Sequence, residues 1–251
     1  MSKTKLFVIE NHHQLYDIWE DYEFRNISVT HLDFHCDMRG IMVDPKRQLG
    51  YRIPDVRKGV DMGNFLAHAV FDGFVNEIKW IYDTPGGRKW DIHTIKHTSD
   101  FTSMPYKFLA NTGAIRPFEF PYQEVLMKDW QGVGKGEFLD IDWDIFAALE
   151  IDQQELEERV DSFFQKTHHQ DVVGISICYS PHHIHSSQPQ FQQFVDQVAA
   201  LFNAEIIEEK ERTAADSNCP SLRKWVPDVL YQPMQQVYYK ARLTMKQYGV
   251  Y

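Results

Sequence analysis

Histidine and aspartate occupy alternate positions in the segment HLDFHCDM, which places His31, Asp33, His35 and Asp37 two residues apart. On an extended chain, residues two apart point to the same side, so Asp33, His35 and Asp37 are expected to converge on one point. The segment follows an apolar strand start, and open α/β sheets place their functional sites at the carboxyl ends of strands. The spacing therefore predicts a cluster at a strand end that binds metal ions.

A second segment, FLDIDWDIF, repeats this arrangement with Asp140, Asp142 and Asp144. Burying several carboxylates together is costly unless cations neutralise them. Because both segments follow apolar strand starts, a shared metal site explains them together. The ligands are mostly hard oxygen with some imidazole, which suits manganese, and zinc also fits. For either segment alone, acids that cap strand ends and contact solvent stay an alternative.

The elements that would position these acids alternate between strands and helices. This order predicts a three-layer α/β fold, with a mainly parallel sheet and helices on both faces. Apolar stripes predict helices over Asp152–Thr167 and Pro189–Phe202, and a further helix is expected over Trp225–Tyr248. The predicted strands are Lys5–Glu10, Ile27–Phe34, Glu77–Tyr82, Trp90–Thr98, Phe138–Ile145 and Val172–Tyr179.

Two stretches lack a clear hydrophobic period, Asp100–Gln123 and Asn203–Ser221, and both are predicted to be loops. The charged run EEKER in the second is read as a solvated face. No internal repeat, low-complexity tract or linker divides the chain. We therefore expect one catalytic domain over residues 1–251.

Composition narrows the class of protein. No apolar run approaches the roughly 20 residues of a membrane helix, and the N-terminal segment lacks the apolar stretch of a secretory signal. Cys36, Cys178 and Cys219 form no CxxC motif and are expected to be reduced thiols. We expect a cytoplasmic protein without a membrane partner. The formal net charge of −10 argues against a nucleic-acid partner and suits a cationic substrate.

The two acidic segments resemble the metal motifs of the arginase and ureohydrolase superfamily. Its members carry a DxHxD motif at one strand end and a DxD motif at a later one, which Asp33–Asp37 and Asp140–Asp142 match in order and strand context. A histidine in a turn after an earlier strand normally precedes both motifs. His12, after the strand LFVIE, aligns best with it, and His13 is the alternative if that strand is one residue longer.

The match looks closer to a compact subgroup that includes the peptide arginases, which convert arginine in precursor peptides to ornithine. The segments ENHHQLYDIW, HLDFHCDM, GNFLAHAVFDG and LDIDWDIF carry this likeness, from about Ile9 to Tyr179. The resemblance implies two Mn²⁺ ions per chain, an arginine-containing peptide as partner, and urea as product. It further implies that Asp37 receives a proton during the reaction.

The resemblance also implies the ligands of the two ions. Asp33 and Asp140 would bridge the ions, and His31 and Asp144 would orient the ligands. The remaining ligands would be His12 and Asp37 on one ion, and His35 and Asp142 on the other.

Substrate recognition departs from the family pattern. Arginases hold the guanidinium with a late glutamate at a strand end, and the corresponding stretch SICYSPHHIH has no carboxylate. Glu10, Asp100 and Asp144 are left as candidates for that role. Ser180 and His182 are expected to line the substrate mouth, and the cluster His182, His183 and His185 is read as an exposed loop or a third metal site.

The segment GNFLAH resembles the GNLH segment of arginases, although it lies much further from the DxHxD motif. His68 would then be a proton shuttle, and a packed helix histidine is the alternative. Asn64 would contact substrate or cap the helix that it opens.

Two other functions stay open at this point. A deacetylase-like amide hydrolase on the same fold would keep one ion on an Asp-His-Asp set. A non-catalytic module would keep the metal site for stability and bind a peptide without changing it. The oligomeric state is undecided.

Overall fold

The computed structural model describes residues 3–53, 59–83, 104–148, 151–169, 171–181, 184 and 187–209. The predicted strand Trp90–Thr98 and the predicted helix Trp225–Tyr248 lie outside these residues. The described part has the predicted three-layer α/β fold, in which a seven-stranded sheet has helices on both faces.

The described part contains ten strands and six helices. The strands are β1 (Lys5–Ile9), β2 (Ile27–Leu32), β3 (Ile41–Asp44), β4 (Leu49–Arg52), β5 (Val75–Tyr82), β6 (Pro117–Glu119), β7 (Tyr122–Leu126), β8 (Phe138–Asp142), β9 (Gly174–Cys178) and β10 (Glu205–Glu208). The helices are α1 (Gln14–Asp21), α2 (Phe65–Phe71), α3 (Met104–Asn111), α4 (Asp144–Ala147), α5 (Gln153–Lys166) and α6 (Gln188–Phe202).

The main sheet has the strand order β10-β1-β9-β8-β2-β5-β7. Every neighbouring pair in it is parallel, so all carboxyl ends lie at one edge. Strands β3, β4 and β6 form a separate antiparallel sheet. The parallel arrangement brings the ends of β1, β9, β8 and β2 next to one another, as the predicted site requires.

The two faces of the central strands differ in chemistry, because successive residues of a strand point to opposite faces. On one face of β8, Leu139 and Ile141 belong to the largest apolar cluster of the described residues, together with Phe163 of α5 and Phe194 of α6. The other face carries Asp140 and Asp142, which are also buried. Helices α1 and α2 pack on this polar face, where the ring centroid of Trp19 lies 5.6 Å from that of Phe138.

Both predicted strands that carry the acidic segments are too long. We predicted a strand over Ile27–Phe34, but β2 ends at Leu32, before Asp33. We predicted a strand over Phe138–Ile145, but β8 ends at Asp142 and the short helix α4 begins at Asp144. The backbone N–H of Asp144 donates to the Asp142 carboxylate at 3.2 Å, which stabilises the turn between the two elements. The DIDWD segment therefore bends where its second aspartate ends the strand.

The two predicted loops contain regular structure. The stretch Asp100–Gln123 holds helix α3, strand β6 and the start of β7, and Asn203–Ser221 holds β10. Strands β7 and β10 are the edges of the main sheet. Edge strands are often charged and solvent-exposed, so β10 has no hydrophobic period to reveal it.

The chain divides into two compact units, Met1–Val56 with Met62–Glu211 and Arg57–Asp61 with Arg212–Tyr251. The candidate site lies within the first unit, and a single catalytic domain over residues 1–251 stays a prediction. None of the helices in the described ranges is long and apolar enough to cross a membrane.

Candidate metal centre

A lower row of polar residues crosses the sheet on its polar face. His31 of β2 is the register partner of Asp140, and Asp140 is the register partner of Ser176. The Asp140 carboxylate accepts hydrogen bonds from His31 Nδ1 at 2.7 Å, Ser176 Oγ at 2.6 Å and His12 Nε2 at 3.0 Å. Its oxygens are therefore occupied by protein donors.

The carboxylate and the histidines of this row shift one another's pKa values. Burial alone would raise the pKa of Asp140, but the charges and hydrogen bonds of His12 and His31 lower it. Burial alone would lower the pKa of His31, but the hydrogen bond and charge of Asp140 raise it. His31 Nε2 also donates to the carbonyl of His35 at 3.1 Å, so both ring nitrogens of His31 have acceptors.

An upper row lies one pleat nearer the carboxyl ends of the strands. Asp142 is the register partner of Cys178 on β9. The register of β2 with β8 pairs Leu32 with Ile141, which puts Asp33 level with Asp142. Ser180 Oγ donates to the Asp142 carboxylate at 2.8 Å. The upper row therefore presents two carboxylates and a thiol side by side at the sheet edge.

His12 faces the carboxylates of the upper row with its second ring nitrogen. His12 Nδ1 lies 3.2 Å from Asp33 Oδ2 and 3.3 Å from an oxygen of each of Asp37 and Asp142. This buried nitrogen has no hydrogen-bond partner. One imidazole nitrogen surrounded by three carboxylate oxygens is a donor set that suits a divalent metal ion.

The turn after β1 holds His12 in this position. The side-chain oxygen of Gln14 accepts from the backbone N–H groups of Glu10 and Asn11, at 3.0 and 2.7 Å. The ring of Phe65 from α2 packs on His12, with 4.8 Å between the centroids. The histidine is therefore fixed by the turn below it and the helix beside it.

A second group of ligands adjoins the first and shares Asp33. His35 Nδ1 lies 3.5 Å from Asp33 Oδ1 and 3.6 Å from Asp144 Oδ2. Asp33 Oδ2 and Asp144 Oδ1 are buried without a hydrogen-bond partner. One ligand atom from each of Asp33, His35 and Asp144 lies within 4.8 Å of the others. The site therefore offers two adjacent groups of ligands.

Burial and mutual repulsion raise the pKa of a carboxylate in each group. Burial and the charge of Asp33 raise the pKa of Asp37 to about 6. Burial and the charges of Asp142 and Asp33 raise the pKa of Asp144 well above its ordinary value. Divalent cations relieve such repulsion, and hard oxygens with imidazole nitrogens suit manganese or zinc. The residues present therefore fit a metal centre.

All six residues predicted as ligands lie in or beside these rows: His12, Asp33, His35, Asp37, Asp140 and Asp142. His12 lies among the carboxylates, whereas His13 occupies the N-cap position of α1. Ser176 and Cys178 were not among the residues predicted to belong to the site. Their signal is two polar residues two positions apart in the otherwise apolar strand GISIC.

The predicted substrate and proton-transfer residues have more varied positions. Asn64 is buried at the N-cap position of α2, but its side chain makes no capping hydrogen bond there. His68 is partly buried on α2, and its ring centroid lies 6.4 Å from that of Tyr16. Ser180 is buried beside the upper row. His182 lies outside the described residues, as do His183, His185 and Asp100.

The repulsion predicts how the stability of the metal-free protein depends on pH. The pKa of Asp37 is raised in the folded protein, so its ionisation lowers the free energy of unfolding as pH rises towards 6. Burial alone would lower the pKa of His12, but the charge and hydrogen bond of Asp140 raise it above the ordinary value of 6.5. The stability that protonated His12 contributes is therefore lost as pH rises above 6.5. Both effects lower the stability of the metal-free protein as pH rises. Between pH 5 and 8, Asp37 alone should cost about 1–2 kcal/mol, or roughly 3–6 °C in Tm.

Thermal melts with a chelator present at several pH values measure this slope. Asp37→Asn should reduce it, while Asp161→Asn, on the exposed side of α5, should leave it unchanged. A metal-free Tm that stays constant or rises from pH 5 to 8 would contradict the described electrostatics.

Fold and site together define a three-layer α/β protein with a buried carboxylate–histidine centre suited to divalent cations. No protein-family model and no curated protein sequence matches the chain. The solved structures that resemble it include three at 12–15% identity over 76–78% of this chain. The chain spans only 56–63% of their lengths.

One is a hypothetical agmatinase from Burkholderia thailandensis, which is 15% identical over 77% of this chain and 56% of its own, with a TM-score of 0.38. Proclavaminate amidino hydrolase from Streptomyces clavuligerus is 13% identical over 78% of this chain and 63% of its own, with a TM-score of 0.42. Arginase from Medicago truncatula is 12% identical over 76% of this chain and 56% of its own, with a TM-score of 0.39.

Proposed function

We propose that this protein is a two-metal hydrolase that cleaves a guanidino group, converting arginine within a peptide to ornithine and releasing urea. The observation that carries the proposal is His12 Nδ1, which has no hydrogen-bond partner and lies 3.2–3.3 Å from carboxylate oxygens of Asp33, Asp37 and Asp142, beside the second group around His35. Two bound divalent ions would supply Lewis acidity and an activated water. From the oxygen and imidazole ligands alone, manganese is the proposed ion, and the cytoplasm is the proposed compartment.

The geometry supports a revised division of ligands between the two ions. Asp142 lies level with Asp33, while Asp140 lies one pleat lower and already accepts hydrogen bonds from protein donors. We therefore assign to Asp142 the bridging role that the sequence analysis gave to Asp140. The proposed ligand sets are His12, Asp33, Asp37 and Asp142 for one ion, and Asp33, His35, Asp142 and Asp144 for the other.

In this assignment the lower row orients the ligands above it. Asp140 accepts from His12 Nε2 at 3.0 Å, which leaves His12 Nδ1 directed at the upper row. His31 and Ser176 in turn hold the Asp140 carboxylate in place. Metal-binding histidines commonly have such a carboxylate on their second nitrogen, and it sets both tautomer and ring orientation.

Asp37 is suited to receive a proton during hydrolysis. Without metal, burial and the charge of Asp33 raise the pKa of Asp37 to about 6, and the resemblance to arginases implies that Asp37 receives the proton in the metal-loaded site. Its carboxylate lies 3.3 Å from His12 Nδ1, at the point where the proposed ligands converge. His68 is kept as a proposed proton shuttle on the family resemblance alone.

Recognition of a cationic guanidinium requires an acidic group at the mouth of the site. Asp144 is assigned to the second ion, so among the described candidates Glu10 is left for this role. Its side chain is exposed, and its carbonyl accepts from the backbone N–H of Ser180 at 3.2 Å, which places it at the edge of the sheet where the ligands lie. The net charge of −10 supports a cationic peptide partner.

Urea release tests the proposed reaction. Metal-loaded protein incubated with arginine-containing peptides should release urea and produce an equal amount of peptidyl ornithine, with free arginine as a poorer substrate. Asp33→Asn should release none, and Asp161→Asn should match the wild type. The reaction is refuted if a protein with both ions bound releases no urea from any peptide or free guanidino compound.

A second candidate is a metal-stabilised module that binds a peptide without changing it. The upper row favours it, because among the described residues β9 offers Cys178 at its end where arginases would provide a carboxylate. Metal-dependent capture of an arginine-containing peptide, recovered with its mass unchanged, is the result that this candidate requires.

A further inference from the structure

Cys178 occupies a position in the upper row equivalent to that of Asp33. Asp33 lies level with Asp142 on one side, and Cys178 is the register partner of Asp142 on the other. Residues paired across neighbouring strands point to the same face, so the thiol and the Asp142 carboxylate share a direction. Cys178 is fully buried and forms no disulfide.

The thiol also lies near a ring nitrogen of His12. One ligand atom from each of His12, Asp142 and Cys178 lies within 4.8 Å of the others. In a tetrahedral zinc site with Zn–S of about 2.3 Å and Zn–N of about 2.0 Å, the sulfur and the nitrogen lie about 3.5 Å apart. The three atoms therefore have to move closer together by at most about 1.3 Å to bind one ion.

The present contacts of the sulfur are weak ones. Cys178 Sγ lies 3.2 Å from Ser180 Oγ and 3.5 Å from the carbonyl of Glu10. Thiols are poor hydrogen-bond donors and acceptors, whereas thiolates are strong ligands for borderline metal ions. His12 Nδ1 provides an independent sign of a cation at this point, because it is buried without a hydrogen-bond partner.

We propose that Cys178 Sγ is a ligand of the ion that His12 Nδ1 binds, which makes the centre selective for zinc, iron(II) or cobalt(II) over manganese. This inference rests on the proposed metal centre but not on its substrate. As the ion binds, the thiol S–H bond breaks, the proton leaves to solvent and the sulfur–metal bond forms. The sequence-based preference for manganese considers only oxygen and imidazole ligands, and a thiolate reverses it.

Cobalt(II) substitution tests this ligand by spectroscopy, independently of activity. Wild-type protein loaded with cobalt should show a thiolate-to-cobalt charge-transfer band in the near ultraviolet. Cys178→Ser should lose the band while keeping bound cobalt, and Cys36→Ser should keep it. Cys178→Ala provides the same comparison if the serine variant fails to fold.

Metal competition gives a second readout on the same proteins. With zinc and manganese offered together, Cys178→Ser should shift the preference towards manganese by roughly tenfold or more. Wild-type protein that binds cobalt without the band, or a band that persists in Cys178→Ser, overturns the role of Cys178 and leaves the hydrolase proposal standing. Wild-type protein that binds no divalent ion overturns both.

Discussion

Asp142→Asn should abolish tight binding of both ions and lower urea formation by at least about a thousandfold. The reason is its position between the two groups of ligands. Asp142 Oδ2 lies 3.3 Å from His12 Nδ1, and Asp142 lies level with Asp33 on the neighbouring strand. A neutral amide at this position supplies neither the charge nor the second oxygen that a bridging ligand needs.

Isothermal titration of metal-free protein with divalent ions measures the effect. Asp33→Asn should behave in the same way, because Asp33 is common to both groups. Asp144→Asn should lose one ion selectively, and the exposed Asp161→Asn should bind as the wild type does. Two ions still bound tightly by Asp142→Asn would show that the bridge has been assigned to the wrong residue.

Asp140→Asn should instead destabilise the protein before any metal is added. Asp140 accepts from His31 Nδ1, Ser176 Oγ and His12 Nε2 at 2.6–3.0 Å and is fully buried. An asparagine amide turns one acceptor into a donor that faces other donors. Breaking a buried charge network of this kind costs about 3–5 kcal/mol, or roughly 10 °C in Tm.

Thermal melts in the presence of a chelator separate this role from metal binding. Asp144→Asn is the matched control, because the raised pKa of Asp144 means that its ionised form opposes folding. It should melt at or above the wild-type temperature without metal. An Asp140→Asn variant that melts like the wild type when metal-free, but binds no ions, would favour the original bridging role for Asp140.

The sequence predicts the site because polar residues at alternate positions mark two strand ends, although only His31, Asp140 and Asp142 lie within regular strands. Three aspartates at alternate positions in DIDWD point to the same side of an extended chain, so period alone identifies them as a group. It does not identify which of them lies level with Asp33. That depends on the register between β2 and β8, which non-local packing sets, and on the end of β8 at Asp142.

The choice between His12 and His13 has a similar origin. Both follow β1 closely, and a difference of one residue in the strand end exchanges their directions. The strand ends at Ile9, and Gln14 then holds the turn through its side-chain oxygen. That contact between a glutamine and two backbone amides has no clear sequence signal.

The edges of the sheet were harder to predict than its centre. Strands β8 and β9 are buried throughout, whereas the edge strand β10 is charged and mostly exposed. Edge strands derive their structure from a neighbour that is distant in sequence. For β10 that neighbour is β1, about 200 residues earlier in the chain.

The number of divalent ions bound per chain tests the central claim most directly. Protein freed of metal, loaded with manganese or zinc and dialysed should retain two ions per chain by elemental analysis. Asp142→Asn carried through the same procedure should retain none. A wild-type chain that retains one ion contradicts the two-metal assignment, and one that retains none contradicts the metal centre itself.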